Sequence, residues 1–191
     1  MTTIITLDEV LWIRESLVRA HQLANARFVA GVNLPATAYL ELLAAAMFET
    51  AQGVHLPANE RVTYEISGTT IAAKVPRVVL ERTPAAVFEY WLIMSELHGS
   101  SSWRMTRVIA TAEEYDTALR EMQEPQLVRA LVASFLPAAE WREDGTAYLE
   151  VTLYTRAQEE RIERRHLMLD QSQELHFHSR ELIAEGRGGI A

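Results

Sequence analysis

The chain contains no cysteine and almost no lysine. The absence of cysteine excludes disulfides, thiolate catalysis and cysteine-ligated zinc, and it favours a reducing, cytoplasmic location. The N-terminal segment has no basic region followed by a long apolar run, so we expect no signal peptide. A catalytic or phosphate-binding lysine would have to be Lys74, since every other basic residue is arginine. Its neighbours, Ala-Ala-Lys-Val-Pro-Arg, include no glycine-rich phosphate loop.

Long hydrophobic runs and an excess of positive charge are also missing. A membrane helix needs about 20 apolar residues, whereas the most apolar window, Ala36–Phe48, is interrupted by Glu41. The 26 acidic residues outnumber the 18 basic ones, which gives a net charge of −8. Nucleic-acid-binding proteins usually present a basic face to the phosphate backbone. We therefore predict that neither a membrane nor a nucleic acid is a partner.

What is present fits a soluble globular protein with its own core. The 191 residues are 49% hydrophobic and 23% charged, which suits one domain. The order of helical and strand-like patterns predicts an α+β fold, in which an antiparallel sheet of about six to eight strands packs against two N-terminal helices and a central helix pair. We expect one domain over residues 1–185 and a flexible C-terminal tail over residues 186–191.

Capping signals and periodicity place the predicted elements. Helices are expected from Leu7 to about Phe28, after the capping box Thr6–Glu9, and from about Ala36 to Gln52. The central pair is expected to begin at the capping box Thr111–Glu114 and again at Glu124, ending near Met122 and Pro137. Alternating or continuous apolar segments predict strands. They are Arg61–Ile66, Thr69–Ala73, Arg77–Glu81, Val87–Leu97, Trp103–Ala110, Gly145–Arg156, Arg161–Leu169 and Gln173–Ile183.

The last predicted strand carries the main cluster of titratable side chains. Strand periodicity predicts that Glu174, His176, His178 and Arg180 share one face. Two histidines at this spacing can ligate one metal ion, and His166 on the preceding strand, or Glu174, could supply a third ligand. A divalent metal bound by His166, His176 and His178 is therefore one hypothesis for this hairpin.

Two short segments resemble known families. The His-x-His spacing is similar to the cupin metal motif, but Asp170 stands where cupins have glycine, and Glu181 follows the second histidine by three residues instead of four or five. The segment Leu34–Leu42 resembles the start of the hot-dog helix in polyketide dehydratase domains, but Ala36 replaces their glycine. The residues before it, Asn25–Asn33, lack the family's histidine. Neither resemblance assigns a family.

The function favoured by the sequence is protein binding without catalysis. The sequence contains neither a serine nucleophile elbow nor a His-Glu-x-x-His motif. We therefore expect an interaction module of the adaptor, chaperone or inhibitor type that self-associates and needs no cofactor. Tyr148, Tyr154 and Arg156, on the expected outer face of Gly145–Arg156, are the candidate binding residues. The alternatives are a small-ligand-binding or metal-assisted enzyme centred on His-x-His, and a structural component of a larger assembly.

Overall fold

The computed structural model describes most of the chain as two compact units. The described residues are 2–31, 37–67, 70–98, 105–129, 134–156 and 159–187, without the side chains of Ile66 and Thr70. One unit comprises residues 11–98, and the other comprises residues 1–10 together with residues 99–191. This division does not test the predicted single domain, and residues 188–191 of the predicted tail lie outside the described residues. Both boundaries therefore stay predictions.

The described residues form an α+β fold, as predicted. The helices are α1 Leu7–Ala30, α2 Ala38–Thr50, α3 Pro84–Leu97 and α4 Ala112–Glu121. The strands are β1 Thr3–Ile4, β2 Val54–His55, β3 Thr63–Ser67, β4 Thr70–Lys74, β5 Val79–Leu80, β6 Thr106–Ile109, β7 Gln126–Leu127, β8 Ala138–Trp141, β9 Ala147–Arg156, β10 Glu160–Leu169 and β11 Leu175–Glu185. None of these helices is long and apolar enough to cross a bilayer.

A large antiparallel sheet dominates the unit that contains residues 99–191. Its strands run in the order β1-β8-β9-β10-β11-β7, and β6 pairs with the second half of β9. Strand periodicity divides β9 and β10 into two faces. One face carries Tyr154 and Ile162, which are paired across the strands and buried in a cluster with Tyr115 and Ala118 of α4. We call this the α4 face. The opposite face carries the pairs Leu149–Leu167 and Leu153–Glu163.

The unit of residues 11–98 is built from helices and two small two-stranded antiparallel sheets. β2 pairs with β5, and β3 pairs with β4. The loop after α2 lies very close to α3, because a Cβ added at Gly53 would lie 2.6 Å from the Cβ of Ala86. Glu89 of α3 binds the same loop: its carboxylate accepts the backbone N–H groups of Gln52 at 3.1 Å and Gly53 at 2.8 Å. Glycine is required here because any side chain would meet the neighbouring helix.

The predicted strand Val87–Leu97 is wrong, because these residues form most of α3. Thr83 caps the helix by accepting the N–H of Ala86, and Pro84 occupies its first turn. Residues on every side of α3 are buried, so the sequence lacks the polar stripe that marks a surface helix. A continuous apolar run does not distinguish such a helix from a buried strand. The cap at Thr83 was the available signal.

The second helix of the predicted central pair is also not found. Gln126 and Leu127 form β7, which pairs with the end of β11 at Glu185 and Ala184. Residues 130–133 of this predicted helix lie outside the described residues. The first member of the pair is confirmed as α4, with both hydrogen bonds of the capping box between Thr111 and Glu114. Local patterning favoured a helix after Pro125, whereas pairing with a distant strand made the segment extended.

The remaining strong local signals are confirmed. The capping box at the start of α1 is present: the Glu9 carboxylate accepts the Thr6 N–H at 2.8 Å, and the Thr6 hydroxyl accepts the Glu9 N–H. The hairpin predicted around residues 170–172 joins β10 to β11. The start of the segment that resembles the dehydratase helix, residues 34–36, lies outside the described residues.

Candidate functional site

A β-bulge changes the arrangement predicted for the last strand. Phe177 pairs with Leu167 and Ser179 pairs with the adjacent residue His166, so His178 is an extra residue in β11. A bulge reverses the alternation of side chains beyond it. Arg180 therefore pairs with Arg165 on the face opposite α4. The prediction that Arg180 shares a face with His176 is wrong, because the bulge lies between them. A single sequence does not reveal this extra residue.

The three histidines of the metal hypothesis have separate partners. His166 lies between two carboxylates, 3.7 Å from Glu150 and 3.9 Å from Glu181. The His176 Nε2 lies 2.8 Å from an oxygen of Asp170. The ring of His178 meets the ring of Tyr148 edge-on, with centroids 6.2 Å apart. His166 and His178 belong to no described group of potential metal ligands.

One group with metal-ligating atoms is found among the described residues: Asp170, Glu174 and His176, whose atoms lie within 4.8 Å of one another. The Asp170 Oδ1 accepts the backbone N–H groups of Ser172 at 2.8 Å and Glu174 at 2.9 Å. The hydrogen bond from His176, followed by the one from Glu174, lowers the pKa of Asp170. These contacts close the β10–β11 turn. Turn formation accounts for the group, and metal binding stays a prediction.

The predicted binding residues Tyr148, Tyr154 and Arg156 do not form one surface. Tyr154 is only 2% exposed, so the prediction that it faces outward is wrong. It lies on the α4 face, where helix packing covers that end of β9. Tyr148 is half-buried, and the guanidinium of Arg142 lies 3.9 Å from its ring centroid. Arg156 is exposed and lies 3.5 Å from Glu160.

The most unusual feature of the sheet is a fully buried carboxylate surrounded by arginines. Glu163 in β10 is 0% exposed. Its Oε1 accepts a hydrogen bond from the Arg165 Nε at 2.5 Å. Its Oε2 lies 3.1 Å from the Arg161 Nε and 3.7 Å from the Arg180 Nη1. Three guanidinium groups from two strands therefore surround one acid.

The geometry around Glu163 leaves hydrogen-bonding capacity unused. The Oε2 of Glu163 and the Nε of Arg161 are within ion-pair distance, but neither is aligned in a hydrogen bond with any described group. Arg161 also lies 3.5 Å from Glu159, a side chain that is 82% exposed. A buried carboxylate is costly unless cations compensate it. Glu163 therefore holds the arginines in place while neutralising only part of their charge.

Strand pairing places an exposed aromatic ring on the same face. Phe177 pairs with Leu167, the next same-face residue after Arg165 on β10, and it is 59% exposed. We call Arg161, Arg165, Arg180 and Phe177 the arginine patch. The alternation Arg-x-Glu-x-Arg was visible in the sequence. The burial of Glu163 could not be read from it, because that burial depends on packing that no local pattern reports.

Comparison of the chain with protein-family models, curated proteins and solved structures gives no match. The geometry of the arginine patch is therefore the basis for a functional proposal.

Proposed function

We propose that this protein is a non-catalytic interaction module whose arginine patch binds a carboxylate-bearing segment of a partner protein. The observation that supports this proposal is the fully buried Glu163, which orients Arg161, Arg165 and Arg180 from β10 and β11. An adaptor, chaperone or inhibitor could act in this way. A cytoplasmic location, favoured by the cysteine-free sequence, belongs to the same proposal.

The three guanidinium groups have more donors than Glu163 has oxygens. Each guanidinium carries five N–H donors in a planar fork that matches a carboxylate, and a carboxylate has two oxygens. Arg180 is the most accessible of the three, with 55% of its side chain exposed, compared with 25% for Arg161 and 27% for Arg165. The contacts with Glu163 restrict the arginine rotamers before binding, which lowers the entropic cost of association.

Phe177 indicates which acidic segments fit best. Arginine and aromatic residues are enriched among the residues that dominate binding energy at protein interfaces. An exposed ring beside guanidinium groups suits a segment in which glutamate or aspartate alternates with an apolar residue. We therefore propose an acidic, partly apolar peptide segment of another protein as the occupant.

The test uses a labelled peptide of eight residues that alternates glutamate with leucine, and a matched peptide that alternates glutamine with leucine. Fluorescence anisotropy measures binding of each peptide to the wild-type chain. We expect the glutamate peptide to bind at least about tenfold more tightly, a difference of about 1.4 kcal/mol. Arg180→Gln and Phe177→Ser should each weaken its binding.

Arg129→Gln is the matched control, because Arg129 is also exposed and pairs with Glu181 of β11 at 3.0 Å. It should leave peptide affinity unchanged. Equal affinity for the two peptides, or equal losses in Arg180→Gln and Arg129→Gln, would contradict the proposal. Light scattering at the same concentrations tests self-association: a dimer that dissociates in Arg180→Gln would show that a second copy occupies the patch instead of a different protein.

A further inference from the structure

A cavity of about 500 Å³ lies within the unit of residues 11–98. It is formed by one side of α2, by β2 and the start of β3, and by the loop between these strands. The lining residues are Glu41, Ala45, Phe48, Glu49, His55, Leu56, Glu60, Arg61, Val62 and Thr63. Its volume falls within the range of small-molecule sites, about 300–1,000 Å³.

Apolar and acidic side chains together line this cavity. Ala45 and Phe48 of α2, with Leu56 and Val62 from the facing loop, supply apolar surface. Sites for small organic ligands are typically lined in this way, with a few polar groups that fix orientation. A ligand here would therefore need an apolar body large enough to contact Phe48.

The polar groups of the cavity are mainly carboxylates. Glu41, Glu49 and Glu60 line it together with one guanidinium, that of Arg61. Arg27 neutralises Glu49, with its Nη2 2.8 Å from a carboxylate oxygen. Among these five side chains, three carboxylates against two guanidinium groups leave one negative charge in excess. The negative charge of Glu41 also affects nearby Tyr64: the burial of the tyrosine, followed by the charge of Glu41, raises the pKa of Tyr64 to about 12.

We propose that this cavity binds a small organic monocation, namely a primary ammonium group attached to an aromatic or branched apolar body. Glu41 and Glu60 would accept hydrogen bonds from the ammonium group, and Phe48 and Leu56 would contact the apolar body. Charge-assisted hydrogen bonds are stronger than neutral ones, so the ammonium should dominate selectivity. This site is separate from the arginine patch and does not depend on the function proposed for it.

The test compares two probes of nearly identical shape, phenethylammonium and 2-phenylethanol, by isothermal titration calorimetry at pH 7. A primary amine of this kind is protonated at that pH, as a lysine side chain is. We expect the ammonium probe to bind at least about tenfold more tightly than the alcohol. The double variant Glu41→Gln/Glu60→Gln should abolish this preference while it retains the weak apolar contribution.

Glu65→Gln is the control, because Glu65 lies on β3 outside the cavity and pairs with Lys74 at 3.6 Å on the surface. It should bind the ammonium probe like the wild type. Ala45→Leu fills the cavity from α2 and should block both probes, and circular dichroism checks that each variant is folded. Equal affinity for ammonium and alcohol, retention of the preference in the double variant, or no binding of phenethylammonium at 10 mM would overturn the proposal.

Discussion

The Nε of Arg165 lies 2.5 Å from the Oε1 of Glu163, a carboxylate that has no exposed surface and belongs to the same strand. Residues two apart on a strand lie on one face, so this contact follows from β10 being extended. Arg161 and Arg180 approach the other oxygen. Glu163 and Arg165 therefore belong to one cluster of charges, in which substitution of any member changes the electrostatic environment of the others.

The first prediction concerns this buried carboxylate. Glu163→Gln should lower the free energy of unfolding by about 3–5 kcal/mol, because removing one partner of a buried ion pair leaves the others uncompensated. Urea denaturation measures the change. Glu181→Gln removes a half-exposed acid that pairs with Arg129, and it should cost no more than about 1 kcal/mol. Similar losses in the two variants would mean that Glu163 does not organise the arginines.

The second prediction separates the two tyrosines of β9. Tyr154 lies in the cluster that includes Ile109 and Tyr115, so Tyr154→Ala should cost about 3–5 kcal/mol of folding free energy through the cavity that it leaves. Tyr148 is half-buried beside Arg142, and Tyr148→Ala should cost about 1 kcal/mol or less. Thermal unfolding of both variants provides the comparison. A larger loss of stability in Tyr148→Ala than in Tyr154→Ala would contradict the burial of Tyr154 in the core.

The third prediction concerns the close approach of Gly53 to α3. Gly53→Ala should destabilise the chain by about 1–3 kcal/mol, because the added Cβ would lie 2.6 Å from that of Ala86. Ala86→Gly removes the opposing methyl group, at a helix-propensity cost of about 1 kcal/mol. The double variant should lose less stability than the two single variants together. Strict additivity in urea denaturation would contradict the contact.

The fourth prediction concerns Glu89 and pH. Burial raises the pKa of Glu89 despite the hydrogen bonds from Gly53 and Gln52. The folded state therefore holds this proton to a higher pH than the unfolded state, whose value is about 4.3. Protonated Glu89 therefore adds to the free energy of unfolding below the unfolded pKa, and this stabilisation is lost as pH rises through the folded pKa.

Glu89→Gln does not titrate, so its stability relative to the wild type should rise across that interval. Glu89→Ala cannot accept the N–H bonds and should be less stable than the wild type at every pH. The unfolding free energy, measured from pH 4 to pH 8, gives both profiles. A constant difference between Glu89→Gln and the wild type would show that this group does not titrate differently in the two states.

The fifth prediction has the opposite sign and concerns Asp170. Its pKa is lowered, chiefly by the hydrogen bond from His176. Ionised Asp170 therefore adds to the free energy of unfolding above its unfolded pKa of about 3.9. This stabilisation is lost as pH falls through the folded pKa. Asp170→Asn and His176→Ala should both flatten the acid limb of a plot of melting temperature against pH. Acid limbs that superimpose on the wild-type curve would contradict the prediction.

Local signals in the sequence were sufficient for the two helices that begin with a capping box and for the strand that alternates strictly. Thr6 and Thr111 mark the first turns of α1 and α4, because a hydroxyl and a carboxylate three residues apart satisfy unpaired backbone N–H groups wherever the helix lies. The alternation of Gly145–Arg156 predicted the long strand β9, because the side-chain period of two is a property of the extended backbone itself. The turn residues Asp170–Ser172 predicted the hairpin of β10 and β11.

The candidate sites depended on contacts between distant residues. The helix α3 is buried on all sides, so its sequence is as continuously apolar as that of a buried strand. Gln126 and Leu127 are extended because they pair with β11. The bulge at His178 moved Arg180 to the face that carries Glu163, and α4 covered Tyr154. A residue's own neighbours in sequence determine backbone preference and capping. Burial, strand register and the meeting of charges depend on which segments pack together, and only the tertiary structure decided that.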